Sequence, residues 1–304
     1  MPSTHDYAND KRNKNIQIYL NGKFYPRSEA NISVMDSGFL LGDGVWEGIR
    51  LYKKTLIHLE DHLNRLYQGA DSIDINMPFT KDELKIEILK TIQKNSMSTD
   101  VHIRLIVSRG LKTTPYQNPK VTIGLPTIVI IPEYKKASES VKRNGITIGK
   151  VETIRDYRVQ NPRINSLSKH NCIAACIEAN KLGVDEGLML DPKGFVSTCN
   201  STNFFIIRNN EVWTSTGQYC LNGVTRKSVI RLCKQYKIPV FEKNFTIEEV
   251  YKSEEVFVTG TFAGITPVIS VDNIVIGKGK RGILTKDLQR CYNSELESIV
   301  LKNG

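Results

Sequence analysis

Apolar and polar positions alternate through "IQIYLNGKFYP" at 16–26, and Asn21-Gly22 sits at the centre of the run. That pattern predicts a β-hairpin. "GVWEGIRLY" at 44–52 predicts a further strand. In "HLEDHLNRLYQGADSI" the apolar residues Leu59, Leu63, Leu66 and Ala70 recur at helical spacing, so a helix with one core face is expected. "TKDELKIEILKTIQKN" predicts a second helix, capped at Thr80. "VHIRLIVSRG" and "PTIVIIPEY" predict strands. Together these outline a small α/β domain over 16–133, preceded by a flexible tail at 1–15. "KKASESVKRNG" at 135–145 is charged and poor in apolar residues, which predicts a linker over 134–145. A larger domain over 146–304 follows. It opens with the strand "ITIGKVETI" and a helix in "RINSLSKHNCIAACIEA". "EGLMLDP" and "GFVSTCNSTNFFIIRNNEVWTS" predict strands, broken at Lys193-Gly194 and Asn209-Asn210. A helix from about Thr225, the strands "EEVFVTG" and "ITPVISV", and a helix from about Leu284 complete it. The fold class expected is α+β (α/β) in two domains, the second rich in strands.

Composition narrows the classes of function. The 304 residues, 40% hydrophobic and 24% charged, leave room for two cores. No apolar run has the length of a membrane span, and the polar start "MPSTHDYANDKRNKN" lacks a signal-peptide core. The net charge of +10 is spread among acids, so a solvated surface is expected and no nucleic-acid or membrane partner. Six cysteines without a C-x-x-C pair point to reduced thiols in the cytoplasm. "GKGKRG" at 277–282 spells G-x-G-x-x-G, but too little chain follows it for a dinucleotide-binding βαβ unit, and a turn is expected. His58 and His62 are four apart without an H-E-x-x-H pattern, so His62 is expected to be structural and no metal site is expected.

Four stretches point to one chemistry. Glycines 42, 44 and 48 of "LLGDGVWEGIRLY" let backbone approach something closely. Arg65 in "HLNRL" is either a surface cation or an inward-reaching partner for a phosphate. In "LNGVTRKSVI", Gly223, Val224 and Thr225 open a helix whose N–H groups suit an anion. "VTGTFAGITPV" ends a strand with Thr259, Gly260 and Thr261, again suited to a phosphate or carboxylate.

In this order the stretches "GDGVWEGIR", "HLNRL", "GVDEGLMLDPKGFV", "LNGVTR" and "TGTFAGITPV" resemble the class IV (fold type IV) aminotransferases dependent on pyridoxal 5'-phosphate (PLP). That group includes branched-chain and D-amino acid aminotransferases and aminodeoxychorismate lyases, and the branched-chain group is most similar. The resemblance covers about residue 16 to the final helix. It implies a homodimer or higher homo-oligomer and PLP as cofactor. It also implies transfer of an amino group between a small amino acid and a 2-oxo acid by a ping-pong Schiff-base mechanism. Arg65 would bind the cofactor phosphate, with Gly223, Val224, Thr225 and Thr261 as donors and Asn203 and Thr198 beside the cofactor. Ala263 and its neighbours would line the substrate carboxylate pocket, Arg104 would lie near the substrate side, and Phe39 and Phe262 would wall the side-chain pocket.

Two positions depart from the resemblance. The family's Schiff-base lysine commonly sits in a phrase like D-P-R-I-K-x-L-N. Here the phrase is "NPRINSL", which places Asn165 there. Counting the longer lead-in of branched-chain enzymes from Arg158 reaches Lys169 instead. An amine is required to bind the cofactor and shuttle a proton; an asparagine does neither, and Lys169 does both. The family's glutamate against the pyridine nitrogen is matched by Thr198, whose hydroxyl makes the cofactor a weaker electron sink. Three functions therefore stand: an aminotransferase using Lys169, a PLP-dependent lyase of the aminodeoxychorismate type, and a non-catalytic or PLP-independent relative.

Overall fold

A computed structural model describes residues 10–303, which divide into two compact units. Residues 10–136, 164–169 and 299–303 form the first, and 137–163 with 170–298 form the second. The tail expected at 1–15 lies outside the described residues as far as position 9. Beyond it, Lys11–Asn15 is a 3-10 turn capped by the Asp10 side chain, not a loose tail. Buried Asn13 ties it down by exchanging two hydrogen bonds with the Tyr134 backbone.

In the first unit, β1 (Gln17–Leu20) and β2 (Lys23–Pro26) form the predicted hairpin. Asn21 and Gly22 at its turn have φ of 46° and 87°, the left-handed pair such a turn requires. Then come α1 (Ser37–Leu41), β3 (Gly44–Tyr52), β4 (Thr55–Ile57), α2 (Leu59–Asp71), α3 (Lys81–Lys94) and β5 (Val101–Ser108). Strands β6 (Leu111–Lys112), β7 (Thr122–Ile123) and β8 (Thr127–Tyr134) follow. Six strands make one antiparallel sheet in the order β2-β1-β8-β5-β3-β4, and β6 pairs with β7 apart from it. The apolar face of α2, read from Leu59, Leu63, Leu66 and Ala70, is buried together with Leu84 and Ile88 of α3 and Ile49, Ile103 and Ile130 of the sheet. Thr80 and Glu83 cap α3 reciprocally.

The second unit opens with α4 (Glu139–Asn144), inside the stretch expected as a linker. Ser138 caps it and Val141 is buried, so the segment is an element with one core contact rather than a tether. β9 (Ile146–Lys150), α5 (His170–Leu182), β10 (Glu186–Leu190), β11 (Val196–Cys199), β12 (Asn203–Arg208) and β13 (Glu211–Thr214) come next. The chain continues with α6 (Val224–Gln235), β14 (Val240–Glu242), α7 (Ile247–Tyr251), β15 (Glu255–Gly260), β16 (Gly264–Val271), β17 (Ile274–Val275) and α8 (Ile283–Asn303). The sheet order is β11-β10-β9-β16-β15-β12-β13-β14, with β17 on β16. Pairs β9–β10, β9–β16 and β13–β14 are parallel and the others antiparallel. Phe204, Ile206, Trp213, Phe245, Val256 and Val258 lie at the centre of its core. Among the described residues no helix is long and apolar enough to cross a membrane.

Candidate functional site

Strand β3 sorts the first unit's chemistry by its two-residue period. Val45, Ile49 and Leu51 face the core, and Glu47 lies on the same face with no exposed surface. A buried carboxylate needs partners, and α2 supplies two from successive turns. His62 Nδ1 donates to Glu47 Oε2 at 2.7 Å, and Arg65 donates from Nε and Nη2 to the two carboxylate oxygens at 2.7 Å each. Burial alone pushes the Glu47 carboxyl up. The Arg65 charge and the hydrogen bonds from His62 and Arg65 outweigh it and hold the group below its usual range. Arg65, expected on a cofactor phosphate, thus reaches inward but has committed two of its nitrogens to Glu47. His62, expected to be structural, is buried and hydrogen-bonded to Glu47.

The opposite face of β3 carries Trp46, Gly48 and Arg50. Arg104 pairs with Gly48 across β5, and its guanidinium carbon lies 3.6 Å from the Trp46 ring centroid. Gly48 makes room for an imidazole, since a Cβ there would come within 2.8 Å of His102 Nε2. Residues 164–169 return to the start of this strand. Ser166 bridges Val45, the Trp46 N–H donates to the Asn165 carbonyl at 2.9 Å, and the Trp46 indole N–H donates to the Ser166 carbonyl at 3.2 Å. Glycines 42 and 44 permit this approach. Side chains there would press on the Ser168 backbone at 3.1 Å and on Leu167 at 2.6 Å. Gly42 therefore approaches the chain's own returning segment, and Gly44 approaches both that segment and β5, where a Cβ would meet the Val107 carbonyl at 2.3 Å.

That segment brings the two competing positions together. Asn165 is buried, and its Oδ1 accepts a hydrogen bond from Lys169 Nζ at 3.1 Å. The same amine lies 5.2 Å from the Trp46 ring centroid. Helix α5 begins only at His170, so the two side chains meet in non-helical chain rather than across a helical turn. Phe39, expected in a substrate wall, is 65% exposed on the short helix α1. Trp46 was missed from sequence; an indole within a glycine-rich stretch was the available signal.

In the second unit the predicted anion-binding turns converge. Helix α6 starts at Gly223 with no side-chain cap, leaving its N-terminal dipole open to an anion. A Cβ at 223 would strike Asn203 Oδ1 at 2.2 Å, and Asn203 Nδ2 donates to the Leu221 carbonyl at 2.8 Å. Asn203 pairs with Thr259 on β15, whose buried Oγ1 has no hydrogen-bond partner among the described residues. β15 then turns through Thr261, Phe262 and Ala263 into β16, the last two buried. Thr198 on β11 donates its hydroxyl to the Thr202 carbonyl at 2.7 Å, and Thr202 donates to buried Glu186 at 2.6 Å. The hydroxyl of Thr198 is therefore an acceptor toward anything else.

The glycine-rich stretch "GKGKRG" is closed to phosphate. Glu255 places its carboxylate on the N–H groups of Leu284 and Thr285 at 3.0 and 2.8 Å, filling the N-terminus of α8 with a negative charge. No cluster of potential metal ligands occurs among the described residues.

The amino-transferase class IV family matches residues 44–271. A Methanocaldococcus jannaschii protein, provisionally named a branched-chain-amino-acid aminotransferase, is 40% identical over 280 residues, 91% of this chain and 95% of that one. A D-alanine aminotransferase of Listeria monocytogenes is 30% identical over 92% of this chain and 96% of its own. The solved branched-chain amino acid aminotransferase of Thermobaculum terrenum, in its PLP-form, aligns with a TM-score of 0.83 at 26% identity, covering 94% of this chain and 95% of that one. The chain belongs to the class IV aminotransferases, a family of PLP-dependent enzymes with a mixed helix-and-sheet fold, and within it is branched-chain-like.

Proposed function

We propose that the protein moves amino groups between a small, branched-chain-like amino acid and a 2-oxo acid in ping-pong fashion, with PLP as cofactor and Lys169 as the amine that binds its aldehyde. The observation that carries this is the Lys169 side chain. Its amine donates to the Asn165 amide oxygen at 3.1 Å, so it reaches the side chain that stands at the position where the resemblance expects a lysine. The donor set fits PLP at two of its polar ends. The uncapped start of α6, with the orphaned Thr259 hydroxyl nearby in register, suits the phosphate, and Lys169 suits the aldehyde. Another, the ring nitrogen, meets the hydroxyl of Thr198 instead of a carboxylate.

PLP, when bound, supplies the electron sink that lets the substrate α-carbon give up its proton. The chain's residues do the rest. Backbone N–H groups of Val224 and Thr225 and the Thr261 hydroxyl hold the phosphate, with Gly223 and Asn203 shaping the turn. Arg65, braced by Glu47, adds a fixed cation. Thr198 would face the ring nitrogen with a hydroxyl, in place of a carboxylate, that already donates to the Thr202 carbonyl. Lys169 Nζ would take and return the α-proton of the substrate. Arg104 and Ala263 receive substrate carboxylates, and buried Phe262 walls the side-chain pocket. The PLP held by the Thermobaculum terrenum relative supports the cofactor assignment. We further read the protein as a cytoplasmic homodimer: none of its six cysteines is paired, and the first unit exposes large apolar side chains.

Mixing the protein with PLP, recording the absorbance spectrum, reducing with borohydride and mapping peptides tests the assignment. Label on Lys169, followed by oxo-acid-dependent turnover of a branched-chain amino acid, is expected. No band and no label would turn the reading to a relative without PLP. Thr198 favours a second reading, a PLP-dependent lyase, because elimination tolerates an unprotonated ring. Release of pyruvate from an aminodeoxychorismate-like substrate without any oxo-acid acceptor would select it.

A further inference from the structure

We propose that Asn165 is a positioning residue, whose amide oxygen holds the Lys169 amine in place for aldehyde capture; this rests on the PLP reading above. A lysine amine sits on a flexible four-carbon stem and is a poor nucleophile until something fixes it. Among the contacts that limit it here are the hydrogen bond to Asn165 Oδ1 at 3.1 Å and the Trp46 indole at 5.2 Å. Both supports are themselves fixed. The Asn165 carbonyl accepts from the Trp46 N–H, the neighbouring Ser166 bridges Val45, and the indole N–H is bound to the Ser166 carbonyl. Asn165 is buried, so its amide is directed by packing rather than by solvent.

The residue type also matters. An amide oxygen accepts from the amine without opposing its charge, so the amine can lose its proton and attack an aldehyde. A carboxylate at 165 would form an ion pair and keep the amine protonated. Charged groups on this face of the sheet include Lys23 of β2, Arg50 of β3, His102 and Arg104 of β5 and Glu133 of β8, placed there by register, with Lys135 beyond the end of β8 interacting with Glu133 and Arg104. They are common to the wild type and every variant, so a difference between variants reports position 165.

The test is the rate of borohydride-trapped labelling of Lys169 by PLP across pH, resolved by peptide mass spectrometry and independent of turnover. Wild type should label at Lys169. Asn165→Leu, close in size, should label about tenfold more slowly at every pH, the effect of one lost hydrogen bond. Asn165→Asp should label slowly at neutral pH and approach the wild-type rate in alkali. Circular dichroism checks that each variant folds, with Asn165→Ala as a second apolar replacement. A wild-type rate in the Leu or Ala variant overturns the inference and leaves Lys169 as the PLP amine. If neither folds, an Asp variant with the wild-type pH profile overturns it. Wild-type label on any other lysine keeps PLP but overturns the Lys169 assignment and this inference with it, and no label at all overturns the PLP reading as well.

Discussion

Trp46 and Glu47 are adjacent in the chain and opposite in environment. The two-residue period of β3 sends the indole to the face carrying Arg104 and Lys169, and the carboxylate into the core against His62 and Arg65. Glu47→Gln keeps the volume but leaves the Arg65 charge, only 16% exposed at its side chain, without its counter-charge. A loss of about 3–5 kcal/mol is expected in urea unfolding, the scale for breaking a buried pair from one side. The pH dependence has a fixed sign. The folded carboxyl titrates below its ordinary 4.5, so its contribution is present above that value and drains away as pH falls through the folded pKa. Wild type should therefore lose stability more steeply below pH 4.5 than Glu47→Gln does. Sequence placed Arg65 near an inward role, but it named phosphate as the partner. A glutamate fifteen residues from a histidine carries no periodic signal, and only the packing of α2 on β3 joins them.

Long elements with one clear period were legible: the β1–β2 hairpin, α2, α3, β5, β8, α6 and the start of α8. Short ones were not. α4 was hidden in charged residues because a six-residue helix with one buried side chain, Val141, has no periodicity to show. The start of α8 shows how one strand residue can decide what a helix end does. Glu255 of β15 caps it through Leu284 and Thr285, and Gly282 is the residue that lets the carboxylate in, since a Cβ there would overlap Glu255 Cδ at 1.9 Å. Glu255→Ala should cost about 1 kcal/mol in chemical denaturation, the usual value of a lost cap. Gly282→Ala should cost a similar amount by expelling the same carboxylate. The double variant should be less destabilised than the sum of the two, because both act through one interaction. Strict additivity would separate the glycine from the cap.

At the scale of the whole chain, the two-unit division departs from the sequence expectation in one stretch that matters. Residues 164–169, with Asn165 and Lys169, group with the first unit although the chain has already entered the second. The cause is the pairing of Ser166 with Val45, far apart in the chain, which no local pattern announces. The first unit also exposes apolar residues around Gly110. The Ser37 N–H donates to the Gly110 carbonyl at 2.9 Å, Asp36 bridges Leu111, and a Cβ at 110 would meet the Leu125 carbonyl at 2.5 Å. Val34, Phe39 and Leu125 in this neighbourhood are 68%, 65% and 74% exposed. Apolar residues gathered like this mark a surface that is covered in the working protein, and a second copy is the occupant the homodimer reading requires. Association stabilises by mass action, so the wild-type melting temperature should rise with protein concentration. Phe39→Glu combined with Leu125→Glu places two carboxylates in that patch. Light scattering should then show a monomer, with a melting temperature independent of concentration. A variant that still elutes as a dimer would move the interface elsewhere on the chain.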